Sequence, residues 1–118
     1  MRIKQTIIMA VLVALLCAAA ALSRDKNKAS QGQAKVTVSN NKFEPKTITV
    51  KAGSEVTWES KEGTHNVTAD DGSWNSSTLT AGQTFSHKFD KPGKYPYYCT
   101  FHGGKGGVGM AGVVNVTQ

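Results

Sequence analysis

Apolar and polar residues alternate in short runs along much of the chain: Val36 and Val38, then Ile48 and Val50, then Val56 and Trp58 after the Ala52-Gly53 turn. A two-residue period puts successive side chains on opposite faces of an extended backbone, so each run predicts a strand with one buried face. The pattern continues through Phe85 to Phe89, a turn at Lys91-Pro92-Gly93, the aromatic run Tyr95 to Tyr98, and the β-branched stretch Val113 to Val116. No helical periodicity interrupts these runs, and short strands separated by turn signals predict an all-β sandwich or barrel. From His65 to Thr84 the chain is mostly polar. Asp70-Asp71-Gly72 marks a turn there, and Trp74 and Leu79 are the side chains expected to pin a loop-rich stretch.

The N-terminus follows a different grammar. Met1-Arg2-Ile3-Lys4 is a short basic start, and Ile7 to Leu22 is almost unbroken apolar sequence ending in Ala18-Ala19-Ala20-Ala21. That order is the order of a secretory signal peptide. The stretch falls short of the roughly 20 residues that span a bilayer as a helix, so a signal over residues 1–22 is preferred to an uncleaved anchor. Cys17 follows the bulky Leu16, which argues against lipid attachment at that cysteine. Residues 23–34 are polar and without periodicity, which predicts a flexible leader ahead of one domain over 35–118. The expected location is periplasmic or otherwise extracytoplasmic, with a membrane-anchored form facing out of the cytoplasm as the alternative.

Export also changes the charge. Arg2 and Lys4 leave with the signal, which lowers the formal charge from +6 to +4. Lys88, Lys91, Lys94 and Lys105 are spread among structural residues without interleaved aromatics, so they build no platform for nucleic acid. An acidic protein partner or a membrane surface suits them better.

Removal of residues 1–22 takes Met1, Met9 and Cys17, leaving Cys99 as the one thiol, Met110 as the one thioether, and three histidines. No intramolecular disulfide can then form, and a lone thiol in an oxidising compartment needs burial or a metal to protect it. Cys99 closes the run Tyr95-Pro96-Tyr97-Tyr98, and His102 and Met110 follow in a glycine-rich segment. Two imidazoles, one thiolate and a distant thioether are the donor set of blue-copper electron-transfer centres. His65 and His87 compete for the remaining imidazole position. His87 alternates with Phe85 and Phe89 on one strand face, whereas His65 follows Gly63-Thr64 at a strand end, so His65 is the expected ligand and His87 a packed or surface residue.

At these residues the chain resembles the cupredoxins, the small blue-copper family of the plastocyanin, amicyanin, pseudoazurin and halocyanin type. The match lies in Tyr97-Tyr98-Cys99-Thr100-Phe101-His102 through Met110-Ala111-Gly112, in Gly63-Thr64-His65-Asn66-Val67, and in Phe85 through Lys91-Pro92-Gly93-Lys94-Tyr95. It covers the domain from about Val36 to Val116. The resemblance implies a Greek-key β-sandwich binding one copper ion, with His65 from an inner loop and Cys99, His102 and Met110 from the loop joining the last two strands. It further implies that Asn66 ties the two ligand loops together near Thr100. Phe101 stands where plastocyanin-like members often have proline, so it keeps an N–H that can donate to the Cys99 sulfur and raise the reduction potential.

The segment from Gly103 to Gly109 is longer than its plastocyanin and amicyanin counterparts, and it is mostly glycine. Such a chain can turn back to bring Met110 under the metal, at an entropic cost on ordering that copper is expected to offset. The function implied is that of a soluble or loosely membrane-associated one-electron carrier, monomeric, meeting redox partner proteins at the His102 edge beside Phe101, Val108 and Lys105. A Cys99 nucleophile lacks an orienting carboxylate in this loop, and multicopper enzymes of related build need more than one such domain. A copper chaperone or storage protein is the alternative, disfavoured because such sites are commonly open and sulfur-rich.

Overall fold

A computed structural model describes residues 32–118. The expected signal over 1–22 and the leader up to residue 31 lie outside the described residues. Eight strands form: β1 Gln33–Ser39, β2 Lys42–Glu44, β3 Thr47–Lys51, β4 Ser54–Ser60, β5 Thr68–Ala69, β6 Thr84–Phe89, β7 Gly93–Gly104 and β8 Val108–Thr117. They make two four-stranded sheets, in the orders β2-β1-β4-β6 and β3-β8-β7-β5. β1 lies parallel to β4 and β3 parallel to β8, while the other pairs are antiparallel. Those parallel pairs arise because the chain crosses from one sheet to the other between most consecutive strands, which gives the Greek-key β-sandwich.

The alternating runs account for six of these strands. β1 starts slightly ahead of Lys35, at Gln33, and β2 and β5 are short additions. β2 exists because Asn40 and Asn41 hold φ at 52° and 54°. Two residues at positive φ make the tight hairpin turn whose twist matches the strands, and asparagine tolerates that region. Ser39 and Lys42 accordingly pair across it.

The inner faces meet in one core. Val36, Val38, Val56, Trp58 and Phe89 come from one sheet, and Val50, Tyr97, Val114 and Val116 from the other. The Trp58 ring stands edge-on to Tyr97 at 5.2 Å and lies 5.7 Å from both Trp74 and Phe85. It is fully buried, and its large apolar area makes it a major contributor to the sandwich. The loop-rich stretch after His65 is pinned as expected, with Leu79 buried and Trp74 laid over Trp58.

At one end of the sandwich β7 and β8 run on past the core as a hairpin. Only residues 105–107 separate them. The expectation that Cys99, His102 and Met110 come from the loop joining the last two strands is thereby corrected: all three lie within β7 and β8. The pairing that replaces the loop is irregular, and the irregularity shapes the site.

Candidate metal centre

Along β7 the inward-facing residues are Tyr97 and Cys99, as strand alternation requires, and Cys99 is fully buried. Beyond it the register breaks. Tyr98 pairs with Ala111 and Gly103 pairs with Gly109, so residues 99–102 of β7 face Met110 alone on β8. This bulge swings the strand outward, which leaves Cys99 inside and carries His102 to an exposed position. Met110 stays 2% exposed, packed with the core opposite the bulge.

Two glycines make the bulge sterically possible. A Cβ at Gly103 would fall 2.4 Å from Met110 O and 2.7 Å from Val108 O, and one at Gly109 would fall 2.6 Å from His102 O. Gly109 also holds φ at 63°. The glycine content predicted a flexible segment; at these two positions it serves instead to let two backbones touch.

His65 arrives from the other direction. It follows β4 and forms an isolated bridge with Leu79, its N–H donating to Leu79 O at 3.0 Å and its C=O accepting from Leu79 N–H at 2.7 Å. The next residues continue into β5, which pairs with β7 at Tyr98 and Tyr97. The imidazole is 1% exposed, and neither ring nitrogen has a hydrogen-bond partner. An unsatisfied buried imidazole is costly unless something else uses its lone pair.

These elements bring His65, Cys99 and His102 together, with one donor atom from each lying within 4.8 Å of the others. The Cys99 sulfur is 3.7 Å from His102 Nδ1, and the two imidazole rings are 5.1 Å apart. Two nitrogens and a sulfur at this spacing can close on a single soft or borderline cation. The chemistry of the set, and the unpartnered His65 nitrogens, fit copper.

Asn66 links the two halves of the cluster. Its Nδ2 donates to Thr100 Oγ1 at 2.6 Å, and its Oδ1 accepts from Thr100 N–H at 2.9 Å and from Thr68 Oγ1 at 3.2 Å. His87 lies elsewhere, stacked on Trp74 at 4.8 Å and edge-on to Phe89. Burial there pulls its pKa below the ordinary histidine value, with Asp90 opposing.

A model of the cupredoxin-like domain matches residues 7–108. The chain belongs to the cupredoxin-like family. Amicyanin-alpha of Methylorubrum extorquens is 36% identical to this cupredoxin over 103 residues, covering 79% of this chain and 87% of that protein. The chloroplastic plastocyanin of Tetradesmus obliquus is 38% identical over 79 residues, and the chain spans 54% of its length. Among solved structures, amicyanin from Paracoccus versutus superposes with a TM-score of 0.60 at 28% identity, over 77% of this chain and 83% of that one. The copper-containing nitrite reductase of Thermus scotoductus gives a TM-score of 0.63 at 24% identity, over 73% of this chain but 22% of the enzyme. That last likeness is one of fold alone.

Two polar groups at the site of this cupredoxin escape the sequence reading. Glu62 places Oε1 3.7 Å from His65 Nε2. The same oxygen accepts from Asn40 N–H at 2.5 Å, so the β1–β2 turn fixes the carboxylate. Glu62 stands three residues before His65, and that nearness is the one signal that could have found it. The second, Asp70, reaches the hairpin tip across the fold, and nothing local in the sequence points to it.

Proposed function

We propose that this chain is a one-electron carrier built on a mononuclear type 1 copper site that Cys99, His65 and His102 would hold, with Met110 as a further, weaker donor. The observation that carries the reading is the convergence of one thiol and two imidazoles from separate elements. Copper held there supplies a Cu(I)/Cu(II) couple that can gain or lose one electron without bonds being made or broken elsewhere.

The chain's own residues do the rest. Cys99 offers a buried sulfur donor anchored on β7, a position continuous with the Trp58 and Tyr97 core. Glu62 places a carboxylate oxygen on the Nε2 side of His65, and glycine at 63 leaves the room there that a Cβ would take. His102 Nδ1 already faces the sulfur. Met110 is buried opposite the bulge and would supply a weak thioether donor that tunes the potential. Asn66 and Thr100 tie the two ligand segments together, which would limit movement of the donors between oxidation states, and Phe101, not being proline, keeps an N–H that could donate to the Cys99 sulfur.

Electrons leave and enter at the His102 edge. Phe101 is 53% and Val108 63% exposed, and Lys105 lies between the same two strand ends. A small apolar patch with a positive rim suits brief contact with an acidic redox protein. The relatives that share this domain carry the names plastocyanin and amicyanin, and we read this chain as a carrier like them, not an enzyme. A signal at residues 1–22, a leader that gives way to β1 at Gln33, a monomeric domain from there on and a site of action outside the cytoplasm complete the proposal. Among the described residues no helix is long and apolar enough to cross a membrane.

Copper titration of the metal-free protein tests this directly. One equivalent of Cu(II) should give an intense visible thiolate-to-copper absorption that ascorbate bleaches and an oxidant restores. Cys99→Ser should abolish it. A colourless complex that keeps Cu(I) under oxidants would favour the chaperone or storage alternative.

A further inference from the structure

Asp70 lies immediately after β5, and its carboxylate grips the far end of the ligand hairpin. Oδ2 accepts from Gly106 N–H at 2.9 Å, across 36 positions of sequence. The backbone N–H of Asp70 donates to Pro96 O at 3.0 Å, so the residue is held against β7 while its side chain reaches the turn. Oδ1 is buried without a hydrogen-bond partner, which leaves the carboxylate committed to this one donor.

The hold falls where the hairpin is weakest. Gly106 and Gly107 both sit at φ 81°. A Cβ at either would meet nothing within 4 Å, so no packing restrains them. Glycines lose more conformational freedom on ordering than any other residue. Without an outside contact, residues 105–107 would sample many conformations and would loosen the Gly103–Gly109 and Gly104–Val108 pairs that close the hairpin beside His102 and Met110. The short segment from Asn66 to Asp70 therefore straps the hairpin at two points, Thr100 near the donors and Gly106 at the tip.

We propose that Asp70 is a positioning residue, a clip that preforms the glycine-rich ligand hairpin before copper arrives. The cost of ordering the turn then falls on folding and not on metal binding, so copper is captured by a site already in shape. This rests on the copper reading given above. It reverses the expectation that the metal orders the glycine segment, because the protein supplies the contact that does so.

The test uses the full chain with Asp70→Ala and Asp70→Asn. In metal-free protein, Asp70→Ala should speed hydrogen exchange at the Gly106 amide at least about tenfold, while core amides such as Val56 and Trp58 stay unchanged. Copper affinity should fall about tenfold, at the lower end of what outer-sphere substitutions cost. Asparagine keeps an acceptor without the charge, so Asp70→Asn should give a smaller change of the same sign in both readouts, and it carries the test if the alanine variant fails to fold. Unchanged Gly106 exchange overturns the clip, as does unchanged copper affinity despite faster exchange. Failure of the wild-type protein to form the thiolate–copper band would remove the parent reading instead, with Gly106 exchange in metal-free protein still reporting on the contact.

Discussion

Gly103 and Gly104 are adjacent on β7 and chemically identical, yet alanine at the two should behave very differently. At Gly103 the added Cβ would lie 2.4 Å from Met110 O, 2.7 Å from Met110 N and 2.7 Å from Val108 O. Ordinary contact begins near 3.4 Å, and all three opposing atoms are backbone, so no side chain can rotate away. Relief requires the strands to part, which breaks the Gly103–Gly109 and Gly104–Val108 pairings. Overpacking of this kind costs about 1–3 kcal/mol, and each lost hydrogen bond adds about 1 kcal/mol. Roughly 3 kcal/mol is expected for Gly103→Ala, which at about 4–8 °C per kcal/mol lowers Tm by about 12–24 °C. At Gly104 the nearest atom is Val108 Cβ at 3.8 Å, an ordinary contact. Gly104→Ala should be neutral or stabilise by up to about 1 kcal/mol through the unfolded chain. Thermal unfolding of both metal-free proteins is the assay, followed by copper titration. Gly103→Ala should also weaken and shift the visible band, since its strain bears on Met110. If the two variants melt within about 3 °C of each other and give the same spectrum, the close backbone approach that defines the bulge is wrong.

Asn66→Ala removes both bonds to Thr100 and should cost about 2 kcal/mol in chemical denaturation, with a change in copper potential that Asn66→Asp only partly reproduces. Burial pushes the Tyr97 hydroxyl from the usual value of 10.0 up to about 12. Below pH 10 the group is neutral in both states; above it the unfolded chain ionises first, so stability falls by about 2–3 kcal/mol on approaching pH 12. Tyr97→Phe should remove that part of the alkaline slope, and equal slopes in the two proteins would contradict it. Phe101→Ala should leave Tm almost unchanged, as an exposed substitution does, and slow electron transfer to a partner; an unaltered bimolecular rate would move docking away from the His102 edge. Phe101→Pro, which deletes the N–H, should lower the copper potential measured at fixed pH and salt.

The alternation of Val36, Val38, Val56, Trp58, Val114 and Val116 was enough to foretell a two-faced β fold, because which face is buried is written into a two-residue period. The cluster of His65, Cys99 and His102 was equally legible. Cys99 and His102 lie three residues apart, and the spacing of His87 with Phe85 and Phe89 sets it apart from the cluster, while only the fold shows it packed on Trp74 and Phe89. β2 was missed although Asn40-Asn41 is a recognisable hairpin turn, since the strand it starts is only three residues long.

The tertiary structure decided the rest, for reasons that local sequence cannot express. Whether a glycine-rich segment is a mobile loop or a bulged hairpin depends on what its backbone approaches, and only the fold brings Met110 O against Gly103 and Asp70 against Gly106. The approach of His65 to Cys99 and His102 likewise needs β5 paired to β7 and Leu79 bridged to His65. Sequence by itself determined which atoms could bind a metal and which faces would be buried, because residue type and period carry that chemistry. Their convergence was decided by contacts between segments tens of residues apart, where no local pattern reaches.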